Sequence, residues 1–264
     1  MGQIVRTSFS CHRDELRIQG TVFHPENGGN LPVAIVSHGF KATRKSVFEY
    51  AEALANCGYA AFTFDFCGGS MWSASQGDTR DMSVLTEVED LKAVMEFASG
   101  QSFTRSDPPL LVGASQGGLV SALTANELKD GVGGLILLYP ALSIPSDARE
   151  GNMAGMKFDP QNLPKHLYSG FMPIGQRYVT DVQHMDVYSS IKHYPGKVLI
   201  IHGSADKVVP VTFARFASRS YKSAGADVEL LVIQDGDHGL TKNPQRQEAM
   251  DKLTSFATEL LQEE

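Results

Sequence analysis

Residues 110–123 read LLVGASQGGLVSAL. An apolar run breaks at Gly113-Ala114-Ser115-Gln116-Gly117, then resumes with helical spacing. A strand covered on both faces reads as a near-continuous apolar run, and clustered glycines mark a tight turn. Gly113-x-Ser115-x-Gly117 therefore has the form of a sharp strand-to-helix turn whose apex serine projects above a sheet edge. The pattern alone is weak in a chain with 25 glycines. Its place between an apolar strand and an amphipathic segment is what gives it weight.

Outward from this turn, short apolar runs alternate with helical patterns. Ile4–Phe9 and Leu16–Phe23 suggest an opening hairpin. Further strands are expected at Val33–Ser37, Ala60–Asp65, Leu110–Val112, Leu135–Leu138, Val198–Ile201 and Val228–Ile233. In residues 82–99, Ser83 is a candidate N-cap, and Leu85, Val88, Leu91, Met95 and Ala98 recur at helical spacing. Asn243-Pro244 opens a terminal helix that places Met250, Leu253, Phe256 and Leu260 on one face. Strands alternating with helices imply an α/β fold, a mostly parallel sheet with right-handed crossovers and helices on both faces.

The whole chain, 1–264, reads as one domain. Residues 143–194 interrupt the rhythm: they lack a strong strand signal, yet are rich in Met, Phe, Tyr, Pro and Gly. Loops this long are uncommon unless functional, so a lid insertion is expected here.

A net charge of −7 with no Lys/Arg-rich run argues against a nucleic-acid surface. Cys11, Cys57 and Cys67 are an odd count without CxxC spacing, which disfavours a disulfide framework or a zinc site. The amino-terminal stretch has no apolar signal-peptide core, and no segment approaches membrane-span length. A soluble, cytoplasmic protein is the expectation.

Serine at neutral pH needs a base to take its proton. Of eight histidines, His238 in VIQDGDHGL follows the last expected strand, at the sheet edge where Ser115 would emerge. A third group should fix the imidazole tautomer. Asp206, in the turn after Val198–Ile201, is favoured over Asp235 and Asp237, which lie too close to His238 in sequence to reach its far nitrogen. His38 opens a turn after a strand and His202 ends one; backbone support and core packing are their expected roles. The serine–acid–histidine order is that of α/β-hydrolases. An oxyanion would be met by the backbone N–H of Gln116 and by that of Phe40 in VSHGFKATRKS. Losing one such donor typically costs about 3 kcal/mol. No metal or cofactor is expected. The expected partner is a small-molecule ester, without nucleic acid or membrane, and homodimerisation is left open.

SHGF (37–40), FDF (64–66), GASQGG (113–118), IHGSADKVVP (201–210) and GDHG (236–239) resemble, in order and context, the α/β-hydrolase superfamily across essentially the whole chain. Within it, GASQGG and the insertion stretch at 146–167 resemble bacterial cinnamoyl (feruloyl) esterases. The resemblance implies an eight-stranded α/β-hydrolase fold, a small lid and hydrolysis of carboxylic esters, typically hydroxycinnamate esters. It places Ser115, Asp206 and His238 on the family triad, Phe40 and Gln116 on its oxyanion hole, and Asp147 on a lid aspartate that in some members contacts the substrate's phenolic hydroxyl. Two departures stand out. A lid position that carries a polar amide in some feruloyl esterases is Ala154, and residues 64–83 are longer than the family's D-x-x-G-x-G-x-S form. The alternatives on the same triad are a broad short-chain acyl esterase and a peptidase-like hydrolase. Met153, Met156, Phe158, Tyr168, Phe171, Met172 and Tyr178 are candidate pocket or lid-packing residues, and Trp72 is a candidate for the entrance.

Overall fold

The computed structural model describes residues 3–263. The chain opens with an antiparallel hairpin, β1 (Ile4–Arg13) and β2 (Leu16–Pro25), paired in unbroken register from Ile4↔Pro25 to Arg13↔Leu16. Both strands outrun their apolar segments because backbone pairing, not burial, carries the hairpin to its turn, where Asp14 takes a positive φ of 50°. There follow β3 (Val33–Ser37), α1 (Phe48–Asn56), β4 (Ala60–Phe64), α2 (Val84–Ser99), β5 (Leu110–Ala114), α3 (Gln116–Leu128) and β6 (Gly134–Leu138).

The segment after β6 contains α4 (Ile144–Glu150), the hairpin β7 (Asn152–Met153) with β8 (Met156–Lys157), the hairpin β9 (His166–Ser169) with β10 (Met172–Gly175), α5 (Arg177–Thr180) and α6 (Val187–Ile191). These strands of two to four residues are too short to show alternation in sequence, so they leave no strand signal there. The chain ends with β11 (Val198–Gly203), α7 (Val211–Ser223), β12 (Val228–Ile233) and α8 (Gln245–Glu263).

Eight strands form one sheet in the order β1-β2-β4-β3-β5-β6-β11-β12. Pairing is antiparallel for β1/β2 and β2/β4 and parallel from β4 to β12. Alternate side chains of the parallel strands feed two cores. Ile35, Leu111, Leu137 and Ile200 share one with α2, α3 and α7, while Val36, Val112, Leu138 and Ile201 share the other with α1 and α8. This is the mostly parallel sheet anticipated from the strand–helix alternation, with the eight strands that the α/β-hydrolase resemblance implies.

Helix α2 begins where Ser83 caps it. The Ser83 hydroxyl accepts from Thr86 N–H, and the Thr86 hydroxyl accepts from Ser83 N–H. Its buried face is not quite the expected one. Val84, Val88, Leu91, Val94 and Ala98 are buried, whereas Leu85 is 40% exposed. Leu85 sits about 100° around the helix from Val84, so only one of the two can face the sheet. Helix α8 starts just after Pro244, whose carbonyl accepts from Glu248 N–H.

The register of α2 makes a direct test. Leu91→Ala, which empties a fully buried site, is expected to destabilise the fold by about 2–5 kcal/mol. Leu85→Ala should stay within about 0.5 kcal/mol. Urea unfolding of both variants checks the pair, and equal losses would mean that the buried face is wrongly assigned.

Candidate active site

Ser115 stands between β5 and α3 with φ 54° and ψ −118°, a region that non-glycine residues rarely occupy. The conformation is held from both sides. A Cβ at Gly113 would come within 2.2 Å of the Gly117 carbonyl oxygen, and one at Gly117 within 2.5 Å of the carbonyls of Ser37 and His38. Ser115 N–H donates to Leu138 O at 2.9 Å, tying the turn to β6. Only glycine fits at the flanks, so the serine itself must absorb the turn.

Three separate loops at the carboxyl ends of the strands converge here. His238 Nε2 lies 3.0 Å from Ser115 Oγ, and His238 Nδ1 lies 2.7 Å from Asp206 Oδ2. An ionised carboxylate only accepts, so Nδ1 carries the proton and Nε2 is left to accept from the serine hydroxyl. Tyr139, at the end of β6, sets its ring against the His238 ring at 5.1 Å.

Asp206 Oδ1 accepts from the N–H groups of Val208 and Val209, at 2.8 and 2.9 Å. Burial opposes ionisation of this carboxyl, but hydrogen bonds from His202, His238 and the Val209 N–H outweigh it and hold the group well below the usual carboxylate range. His202 is fully buried on β11. Its Nε2 lies 3.2 Å from Asp206 Oδ2 and 2.8 Å from Val209 O, so it faces two acceptors and must donate. Sequence reading gives His202 only a packing role. Nothing in the chain order signals this bond, because it needs the turn that brings Asp206 back beneath the end of its own strand.

Phe40 follows β3. Gly39 packs on Ser115, where an added Cβ would lie 3.1 Å from the serine Cβ. His38 is buried beneath this turn, and burial depresses its pKa. Its Nδ1–H donates to Gly39 O at 2.8 Å while Nε2 accepts from Phe66 N–H at 3.3 Å. The buried Asp65 then holds the loop's far end, accepting from Arg44 N–H at 2.7 Å and from Arg44 Nη1 at 2.5 Å. Gln116 is the first residue of α3, where a backbone N–H has no partner within the helix. Phe40 and Gln116 both border the cavity beside Ser115.

That cavity measures about 430 Å3. Ala141, Ile144, Ala154, Val208 and Val209 give it apolar walls, Lys41, Ser143, Asp147, Asn152 and Ser169 add polar groups, and Tyr178 also borders it. Asp147, on α4, accepts from Ser143 Oγ at 2.8 Å, and burial raises its carboxyl above the usual range. Of the seven insertion residues considered for the pocket, Tyr178 alone lines this cavity. Met153, Met156 and Met172 are buried in the core, Phe158 packs on it, and Tyr168 and Phe171 are exposed. Trp72 is 83% exposed and does not line the cavity. Composition marks these residues as apolar, but only the path of the hairpins decides which face each one takes.

Among the described residues, no group of three or more His, Cys, Asp or Glu side chains is arranged to hold a metal ion, and no helix is long and apolar enough to cross a membrane.

Sheet order, strand-to-helix turn and the serine–histidine–aspartate chain together define an α/β-hydrolase of the serine hydrolase and esterase type. The chain belongs to the prolyl oligopeptidase family, whose model matches residues 45–264. The structure is similar to that of Est1E from Butyrivibrio proteoclasticus with ferulic acid bound, at a TM-score of 0.87 and 27% identity over 96% of this chain and 99% of that one. A second Est1E structure superimposes at a TM-score of 0.84 with 26% identity, covering 96% and 98% of the two chains. The fold is also shared with mouse alpha/beta hydrolase domain-containing protein 10, at a TM-score of 0.75 and 17% identity over 96% and 99%. No curated protein sequence matches the chain.

The depressed Asp206 carboxyl has a consequence for stability. Its folded pKa lies below the unfolded value of about 3.9, so its contribution is complete above that value and is lost as pH falls through the folded one. The stability gap between the wild type and Asp206→Asn should therefore be level near neutrality and narrow below about pH 4. Denaturant titrations across this range test it, and a gap that widens on acidification would contradict the assigned direction.

Proposed function

We propose that this protein is a serine carboxylesterase acting on hydroxycinnamate-type esters through an acyl-enzyme. The observation that carries the reading is the hydrogen-bonded chain Ser115–His238–Asp206 opening onto a cavity of mixed polar and apolar lining that includes Asp147 and Tyr178. Ser115 Oγ attacks the ester carbonyl while His238 Nε2 takes its proton. The resulting oxyanion sits against the N–H groups of Phe40 and Gln116. Collapse breaks the bond to the alkoxy oxygen, which leaves as the alcohol with the proton from His238. Water, deprotonated by His238, then attacks the acyl carbonyl, and the acid departs as Ser115 regains its proton.

Apolar walls at Ile144, Val208 and Val209 suit a flat aromatic acyl group. At its polar side Asp147 offers a carboxyl oxygen as acceptor for a phenolic hydroxyl. Similarity to an esterase that binds ferulic acid, across almost the full length of both chains, supports the same acyl class. The segment over the cavity, residues 143–194, acts as a lid within a single domain.

The deciding experiment compares kcat/KM for methyl ferulate with that for a short aliphatic ester, with Ser115→Ala as the blank. Methyl ferulate should be preferred, and Asp147→Ala should erase most of that preference without abolishing aliphatic turnover. A preference for the aliphatic ester would reduce the reading to a general esterase. Ser115→Ala should lower kcat by about 10^6-fold and Asp206→Asn by about 10^4-fold. Because only neutral imidazole serves as the base, activity should fall on acidification. A flat profile between about pH 5 and 8 would count against His238 in this role.

A further inference from the structure

Glu87 is a carboxyl that the reaction above does not use. It lies in the first turn of α2, is 1% exposed, and has no basic side chain at ion-pair distance among the described residues. Buried carboxylates are usually paired with a cation. Glu87 Oε2 instead accepts from Gln116 Nε2 at 2.7 Å, and Gln116 Oε1 in turn accepts from the Tyr178 hydroxyl at 2.5 Å. All three side chains are buried. Burial raises the Glu87 pKa well above its usual range, against the smaller opposing effect of the Gln116 bond.

This chain ends on both sides of the oxyanion position. Gln116 is one residue assigned to it, and its side chain is fixed at both the amide nitrogen and the amide oxygen. Phe40 is the other, and its ring stacks on Tyr178 with centroids 5.2 Å apart and planes 21° from parallel. Tyr178 belongs to α5, which is tied to the same end of α2 by a second bond, from Ser83 Oγ to Asp181 Oδ2 at 2.6 Å. The start of α2 is thus the common anchor of the elbow, the loop bearing Phe40 and the segment over the cavity.

We infer that Glu87 is a positioning residue, which acts through the Gln116 amide and the Tyr178 hydroxyl to hold the two oxyanion N–H donors in place. It touches neither substrate nor reacting atoms. The role needs an acceptor oxygen at Glu87 Oε2, which fixes the Gln116 amide from one side while the Tyr178 hydroxyl fixes it from the other. The inference rests on the serine-esterase reading but not on the identity of the acyl group, so a short ester is the right probe.

The test uses p-nitrophenyl acetate with the wild type, Glu87→Gln, Glu87→Met and Gln116→Met, with active sites counted by a fluorophosphonate. Glu87→Met is expected to lose about 10- to 100-fold in kcat with KM changed less than about threefold. Glu87→Gln keeps an acceptor for Gln116 Nε2 and should retain kcat within about threefold. Gln116→Met keeps the backbone N–H while deleting the tether, and should lose kcat as Glu87→Met does. It also stands in should Glu87→Met fail to fold. Wild-type kcat in either methionine variant would overturn the inference. So would an equal loss in Glu87→Gln and Glu87→Met. A wild type that is not labelled by the fluorophosphonate would overturn the esterase reading itself, and this inference with it.

Discussion

The close approach of β5, α3 and β3 at Ser115 is the constraint on which the rest of the site depends. Gly113 and Gly117 leave no room for even one methyl group, so the chain passes from strand to helix in a single residue. That residue takes positive φ at a cost of order 1–3 kcal/mol. The surrounding cores supply far more than this: Val112, Ala114, Leu119 and Val120 are all buried on the elements that flank it. The strain lifts the hydroxyl clear of the sheet and puts the first N–H of α3 beside it. A side chain at Gly113 would force β5 and α3 apart, and one at Gly117 would force α3 away from the end of β3.

A parallel sheet brings the other groups to the same edge. Strands β3, β5, β6, β11 and β12 all point one way, so the loops at their carboxyl ends form one rim. Phe40, Ser115, Tyr139, Asp206 and His238 all come from that rim, although the sequence spreads them over some two hundred residues. Three of them have a supporting neighbour: His38 at the turn of Phe40, His202 against Asp206, and Tyr139 beside His238. The two histidines are buried side chains whose hydrogen bonds fix direction, and Tyr139 contributes a ring contact. Val209 O and Asp206 Oδ2 both face His202 Nε2, so the proton on that nitrogen ties the ring to both.

Helix α2 shows how local and tertiary signals divide. Its start is readable, because Ser83 and Thr86 cap each other within four residues. Its inward face is readable to within one position, with Val84 taking the place expected for Leu85. Glu87 gives no signal, since an acidic residue in a helix's first turn ordinarily faces water and the helix dipole favours it there. It is buried only because α3 and α5 close over that turn. Tyr178 is similar: among seven apolar insertion residues, sequence offers no reason to prefer it for the cavity.

The sequence by itself determined the strand–helix alternation, the glycine-flanked turn at Ser115 and the order in which serine, aspartate and histidine appear. These are consequences of period, turn chemistry and spacing, which act over a few residues. Tertiary structure decided which side chains meet. The second bond on Asp206 from His202, the Glu87–Gln116–Tyr178 chain and the walls of the cavity all join residues from different elements. Their distances depend on how the helices and the insertion settle on the sheet. A one-dimensional pattern carries the direction of a face, but contact across layers depends on the packing of every residue between them.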